Sequence, residues 1–98
     1  MVFKPTKART FGNVWDALEK SPEEAELMTM RSNVMIAVSE AVRGWDTTQA
    51  RASRRLGITQ PRLNDLLRGK INKFSLDTLL ALASRAGLKV KLDVRSAA

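Results

Sequence analysis

Residues 48–70 read TQARASRRLGITQPRLNDLLRGK, and the fold turns on this stretch. Two short helical patterns meet at Gly57-Ile58-Thr59, a break of three residues that fits a helix-turn-helix corner. Thr48 can cap the first helix, which turns Ala52, Ser53 and Leu56 to one side. Thr59 can cap the second, which turns Leu63, Leu66 and Leu67 inward. Pro61 is tolerated because amides in the first helical turn have no intrahelical partner to lose. Ala52 and Ser53 are small where two steeply crossed helices must touch. Gly57 can take the positive φ that a corner demands, and Ile58 can plug the space between the helices. A generic helical hairpin accounts for some of these placements, but not for all of them at once.

Charge is concentrated on the same stretch. The chain has 98 residues and a net charge of +7. Residues 1–42 hold five basic and six acidic side chains, a net of −1. Residues 43–73 hold eight basic (Arg43, Arg51, Arg54, Arg55, Arg62, Arg68, Lys70, Lys73) and two acidic (Asp46, Asp65), a net of +6. The remaining residues add +2. A merely solvated surface would not gather charge over the residues that form the corner. The expected partner is a polyanion, double-stranded DNA first among them.

The other composition limits are mostly exclusions. A chain of this length can bury one modest core. It contains no cysteine and no histidine, so disulfides and the usual zinc sites are not expected, and no cofactor is. No apolar run approaches the roughly 18 residues of a membrane span, and the N-terminus lacks a signal peptide's apolar core, so a cytoplasmic protein is expected. Catalysis has little to draw on. Ser and Thr lack a neutral-pH base, Asp65 and Asp77 form no recognisable acidic pair, and the glycines sit at helix ends rather than in a phosphate loop. The sequence does not read as an enzyme.

Outward from the corner, residues 1–10 are basic and aperiodic and read as a flexible tail, with a single domain over 11–94. Phe11, Val14, Trp15 and Leu18 have the spacing of a short helix, and Trp15 is expected to pack on the long helix that follows, with a partner contact as the rival reading. Ser21-Pro22-Glu23-Glu24 is a capping-box start for that helix, which can run to about Arg43. Its apolar stripe is Leu27, Met30, Val34, Val38, Ala41 and Trp45, widened by Met28, Met35 and Val42. After Lys70, Ser75 caps another helix, with Phe74 and Leu79 spaced as a hydrophobic staple and Gly87 at its end. Leu88-Lys89-Val90-Lys91-Leu92-Asp93-Val94 then alternates apolar and charged, the pattern of a strand. It is the only convincing strand pattern in the chain, so its hydrogen-bonding partner must come from another molecule. A second copy is the economical choice, which makes Leu88, Val90, Leu92 and Val94 the expected dimerisation face. The rival is addition to the sheet of a different protein.

Thr48-Gln49, Ser53, Gly57-Ile58-Thr59-Gln60, Leu63, Leu66 and Arg68-Gly69-Lys70 resemble the phage-repressor-like (Xre) helix-turn-helix family. Within it the chain looks most like the HigA-type antitoxins, whose sequences continue, as here, through Lys70-Ile71-Asn72-Lys73-Phe74-Ser75-Leu76. With Gly12-Asn13-Val14, the resemblance covers about residues 12 to 94. It implies an all-α, lambda-repressor-like bundle, here with four main helices, a short N-terminal helix and one C-terminal strand. It also implies a repressor that silences its own operon and neutralises a small mRNA-cleaving toxin.

On the second helix of the corner, the residues turned away from the leucines are Gln60, Pro61, Asn64, Asp65 and Arg68, with Arg62 to one side. Gln60 occupies the family's position for a base contact, and its amide can pair bidentately with adenine. Asn64 could do the same one turn later, and Arg62 could reach a guanine edge or a phosphate. Asp65 either accepts from cytosine N4 or, the favoured reading, braces Arg62 and Arg68 at three-residue spacing. Gln49 matches the family position that clamps the DNA backbone. Arg51, Arg55, Thr59, Arg68, Lys70 and Lys73 complete the expected backbone set, against the plainer reading of a solvated basic face. One recognition helix reads few base pairs, so a homodimer on a palindromic operator is expected. Three classes of function remain open: an antitoxin-repressor, a free-standing transcriptional regulator, and an interaction module whose corner no longer binds DNA. The clustered charge argues against the last.

Overall fold

The structure is a computed structural model that describes residues 21–97. The tail at 1–10 and the short helix expected around Phe11 to Leu18 lie outside the described residues. Four α-helices follow in order: α1 (Pro22–Arg43), α2 (Gln49–Leu56), α3 (Gln60–Leu67) and α4 (Leu76–Arg85), with a 3₁₀ turn at Ile71–Lys73 before α4. Met1–Met30 and Arg31–Ala98 are two compact units, and the core described below belongs to the second.

Each helix starts where a side-chain oxygen can take up an orphan amide. Ser21 Oγ accepts from the Glu24 amide and Glu24 Oε1 accepts from the Ser21 amide, both at 3.2 Å, a reciprocal capping box. Thr48 Oγ1 accepts from Arg51 N at 3.2 Å, Thr59 Oγ1 from Arg62 N at 3.3 Å, and Ser75 Oγ from Thr78 N at 3.1 Å. All four starts fall where the sequence places them.

The corner closes through the backbone. Gly57 lies at φ +73°, and its left-handed turn lets Ile58 N–H donate to the Ser53 carbonyl at 3.0 Å and Gly57 N–H to the Arg54 carbonyl at 3.1 Å. Two arginines from distant helices satisfy carbonyls left over at the helix ends. Arg85 Nη1 on α4 donates to Leu56 O at 2.9 Å, and Arg43 Nη2 on α1 donates to Leu67 O at 2.8 Å. The corner is thereby tied to the helices on either side of it in sequence.

Val38, Leu56, Leu63, Leu66, Phe74, Leu79 and Leu82 are fully buried, and Met35, Val42, Ala52, Ala83 and Ala86 complete the core. The buried hydroxyls are satisfied: Ser53 Oγ donates to Ala50 O at 2.9 Å, and Ser39 Oγ donates to Leu66 O at 3.4 Å. Phe74 and Leu79 are both buried, as the staple requires. Ile58 is half-buried against the core.

Three expectations change. On α1 the buried row is Met35, Val38, Ser39 and Val42, while Val34, Ala41 and Trp45 flank it and Leu27 is exposed, so the apolar stripe is rotated from the one expected. The small Ser39 sits on the buried face because its hydroxyl has a carbonyl to meet. Leu67 is half-buried rather than core, and Arg43 reaches its carbonyl. The third correction is the strand. No strand forms at residues 88–94, or anywhere else among the described residues. Leu88 alone of its apolar set packs on the core, its amide donating to Ala83 O at 2.9 Å, while Val90, Leu92 and Val94 are exposed. The physical reason is that a single chain of helices offers this segment no edge to pair with.

Gly57 and Gly69 both lie at φ +73°, but a Cβ at Gly57 would stand 2.8 Å from Arg85 Nη1 while one at Gly69 would meet open space. Gly69→Ala should therefore cost only the left-handed strain, about 1–2 kcal/mol. Gly57→Ala should cost about 1 kcal/mol more, because the methyl group dislodges Arg85 from the Leu56 carbonyl. Chemical denaturation of both variants, alone and with Arg85→Ala, reads the difference. Equal losses in the two glycine variants would remove the Arg85 tie from the account.

Candidate nucleic-acid interface

The α3 helix buries Leu63 and Leu66, half-buries Leu67 and Arg62 on either flank, and leaves Gln60, Pro61, Asn64 and Arg68 exposed. This is the row that helical periodicity requires on the side away from the core. Gln60 is the first residue of the helix, so its amide stands at the leading end of the exposed row. Thr59, its cap, uses its oxygen to accept from Arg62 N, and its hydroxyl proton stays available to a phosphate oxygen.

Around this row the basic residues fall into two sets. Arg51, Arg54 and Arg68 are exposed and make no side-chain hydrogen bond or ion pair among the described residues. Arg51 sits in the first turn of α2 just after Gln49, also exposed, where backbone amides and a cation together favour an anion. The second set is held in place. The Arg55 guanidinium lies over the Trp45 ring, 3.9 Å from its centroid, and that of Arg62 lies over Phe74 at 4.5 Å. Lys70 Nζ and Lys73 Nζ each stand 3.5 Å from a different carboxylate oxygen of Asp65.

Of the two expected sets, all residues but the half-buried Arg62 and Asp65 are exposed, and one assignment changes. Asp65 braces no arginine: its partners are Lys70 and Lys73, and Arg62 turns instead to an aromatic ring. The chain bends back after α3, so the lysines that follow the helix reach Asp65. Phe74 and Trp45 carry a role that sequence reasoning missed. Phe74 lies in the core and Trp45 packs against it, and each is also the platform for a guanidinium. The available signal was only that each aromatic lies outside a helix that carries an unpaired arginine. Arg54, unassigned from the sequence, is exposed and unencumbered near the end of α2.

A corner of this geometry, with an exposed polar row and a basic surround, matches the helix-turn-helix domain family over residues 17–95. The chain belongs to that family. None of the curated proteins matches it. A helix-turn-helix domain of this kind is the module of DNA-binding regulators, and DNA is the partner it implies. Among the described residues no helix is long and apolar enough to cross a membrane.

Arg55 offers a direct test of whether the stacked cations face DNA. Arg55→Gln should flatten the dependence of log K on log[salt] by about one for each protomer. It should change stability by less than about 1 kcal/mol, since Arg55 itself is exposed and Trp45 keeps its packing on the core. An unchanged slope with a larger loss of stability would make the Trp45 stack a packing device only. Fluorescence anisotropy across a salt series, with a thermal melt, measures both.

Proposed function

We propose that this helix-turn-helix domain is a sequence-specific DNA-binding repressor that acts as a homodimer. The observation that carries the reading is the exposed α3 row of Gln60, Pro61, Asn64 and Arg68 in a corner whose other helix, α2, carries the exposed and unpaired Arg51 in its first turn. Short polar side chains at the head of a helix can read base edges, while cations behind them hold phosphate. Its part is recognition, not catalysis. The half-buried Arg62, fixed over Phe74, is poised for a guanine edge or a phosphate; Asp65, Lys70 and Lys73 form the margin of the interface.

The dimer reading rests on the exposed apolar side chains of Val90, Leu92 and Val94, which alternate in sequence with Lys91 and Asp93. Antiparallel pairing of residues 88–94 from two copies would supply the ladder that one chain lacks and would fix the spacing of the two α3 helices. The resemblance through Lys70 to Leu76 adds the further reading of an antitoxin that neutralises a small mRNA-cleaving toxin and represses its own operon.

Gln60→Ala should weaken operator binding by about 1–3 kcal/mol and leave binding to scrambled duplex almost unchanged. Gel shifts on both duplexes decide it, and equal losses would take Gln60 out of the base-reading set. Truncation after Leu88 spares the residue that packs on the core. Light scattering should then give the mass of a monomer, with operator affinity lost in step. A truncated chain that stays dimeric would refute pairing through residues 89–94.

A further inference from the structure

Asp65 is an odd residue for a helix that faces DNA. It stands in the last turn of α3, where the helix dipole disfavours an anion, and its carboxylate would repel any phosphate that approached. The end of the helix shows what it does there. Arg68, at the helix end, is followed by Gly69 at φ +73°, and the Lys70 amide turns back to donate to the Asp65 carbonyl at 3.0 Å while Gly69 N–H donates to Leu66 O at 3.1 Å. This closure sets the Lys70 side chain beside the Asp65 carboxylate. The 3₁₀ turn at Ile71–Lys73 then brings Lys73 to the carboxylate's other oxygen. One carboxylate thus holds two ammonium groups, each at 3.5 Å.

The exposures are unequal. The Asp65 side chain is 21% accessible, those of Lys70 and Lys73 are 44% and 55%. Ion pairs this exposed contribute little to stability, so they do not explain a carboxylate at an unfavourable helix position. They bear instead on the charge that this end of α3 offers to a polyanion. The triad presents a net charge of +1 where the two lysines alone would present +2, counting the two cations and the one anion.

We propose that Asp65 restrains indiscriminate binding: its carboxylate engages Lys70 and Lys73, lowering their contribution to phosphate contact on any duplex, so that a random duplex, which offers α3 no matched base edges, is held only weakly. The inference rests on the DNA-binding reading and makes Asp65 a residue that sets sequence-independent affinity within it. On random DNA the two lysines must leave their shared carboxylate, or share it with a phosphate of the same sign, before they release counterions. An operator meets the same cost but adds base contacts from α3 that random sequence lacks.

The test is Asp65→Asn, which keeps the side chain's shape and removes its charge, measured on a short random-sequence duplex by anisotropy from about 50 to 200 mM salt. The variant should bind random duplex several-fold tighter than the native chain at low salt. Its log K against log[salt] should be steeper by up to about two for each protomer, as Lys70 and Lys73 come into play. Adding Lys70→Gln and Lys73→Gln should abolish the gain. Its melting temperature should be unchanged or raised, because the anion leaves the C-terminal end of α3. Unchanged or weaker binding to random duplex overturns the proposal, and a lowered melting temperature without tighter binding makes the triad a structural tie instead. If neither protein binds duplex or heparin at low salt, the DNA-binding reading itself fails and takes the restraint with it. That outcome is distinct from a native chain that binds and a variant that gains nothing.

Discussion

Between Leu56 and Gln60 the chain must end one helix and begin another without leaving backbone groups dry. Gly57 makes this possible with a left-handed conformation that returns the Ile58 amide to Ser53, and Thr59 then takes up the Arg62 amide of the next helix. The Leu56 carbonyl, at the end of α2, goes to Arg85. Everything that faces outward on α3 depends on this closure, because the angle between α2 and α3 sets which side of α3 is buried. With Leu63 and Leu66 fixed in the core, Gln60, Asn64 and Arg68 have no surface but solvent.

The same economy appears at the other helix ends. Arg43 reaches from α1 to the Leu67 carbonyl as Arg85 reaches from α4 to that of Leu56. The C-terminal ends of both helices of the corner are therefore fastened by cations drawn from outside it. The basic residues of this small domain divide their work accordingly. Arg43 and Arg85 serve the backbone, Arg55 and Arg62 lie on aromatic rings, Lys70 and Lys73 share a carboxylate, and Arg51, Arg54 and Arg68 remain uncommitted. A net charge alone does not distinguish these roles, although it points to the right region of the chain.

How much of this was legible in the sequence follows the range of each interaction. Thr48, Thr59 and Ser75 act on amides three residues away, and Gly57 acts on its own backbone, so local pattern suffices for them. Leu63 and Leu66 of α3 and Leu79 and Leu82 of α4 follow from periodicity, because burial fixes one face of each helix. What was not legible depends on where the chain returns. The three-residue spacing of Asp65 with Arg62 and Arg68 suggested bracing along the helix, but the turn after Gly69 delivers lysines to the carboxylate, and Phe74, twelve positions after Arg62, offers that arginine a ring. The α1 stripe was misplaced because Ser39 looked polar by type and is buried by virtue of a carbonyl 27 residues away in sequence. The alternation at 88–94 is genuine in the sequence, yet one chain gives it no ladder.

The central claim is that α3, presented by the Gly57 corner, is the surface that meets DNA. The most direct measurement is an amide chemical-shift titration of the full chain with duplex taken from the region upstream of its own gene. The account predicts that the largest shifts fall at Thr48–Arg51 and Gln60–Lys73, with Ile36, Glu40 and Thr78 little changed. Shifts centred on the outer face of α1 or on residues 88–97, with α3 silent, would contradict it.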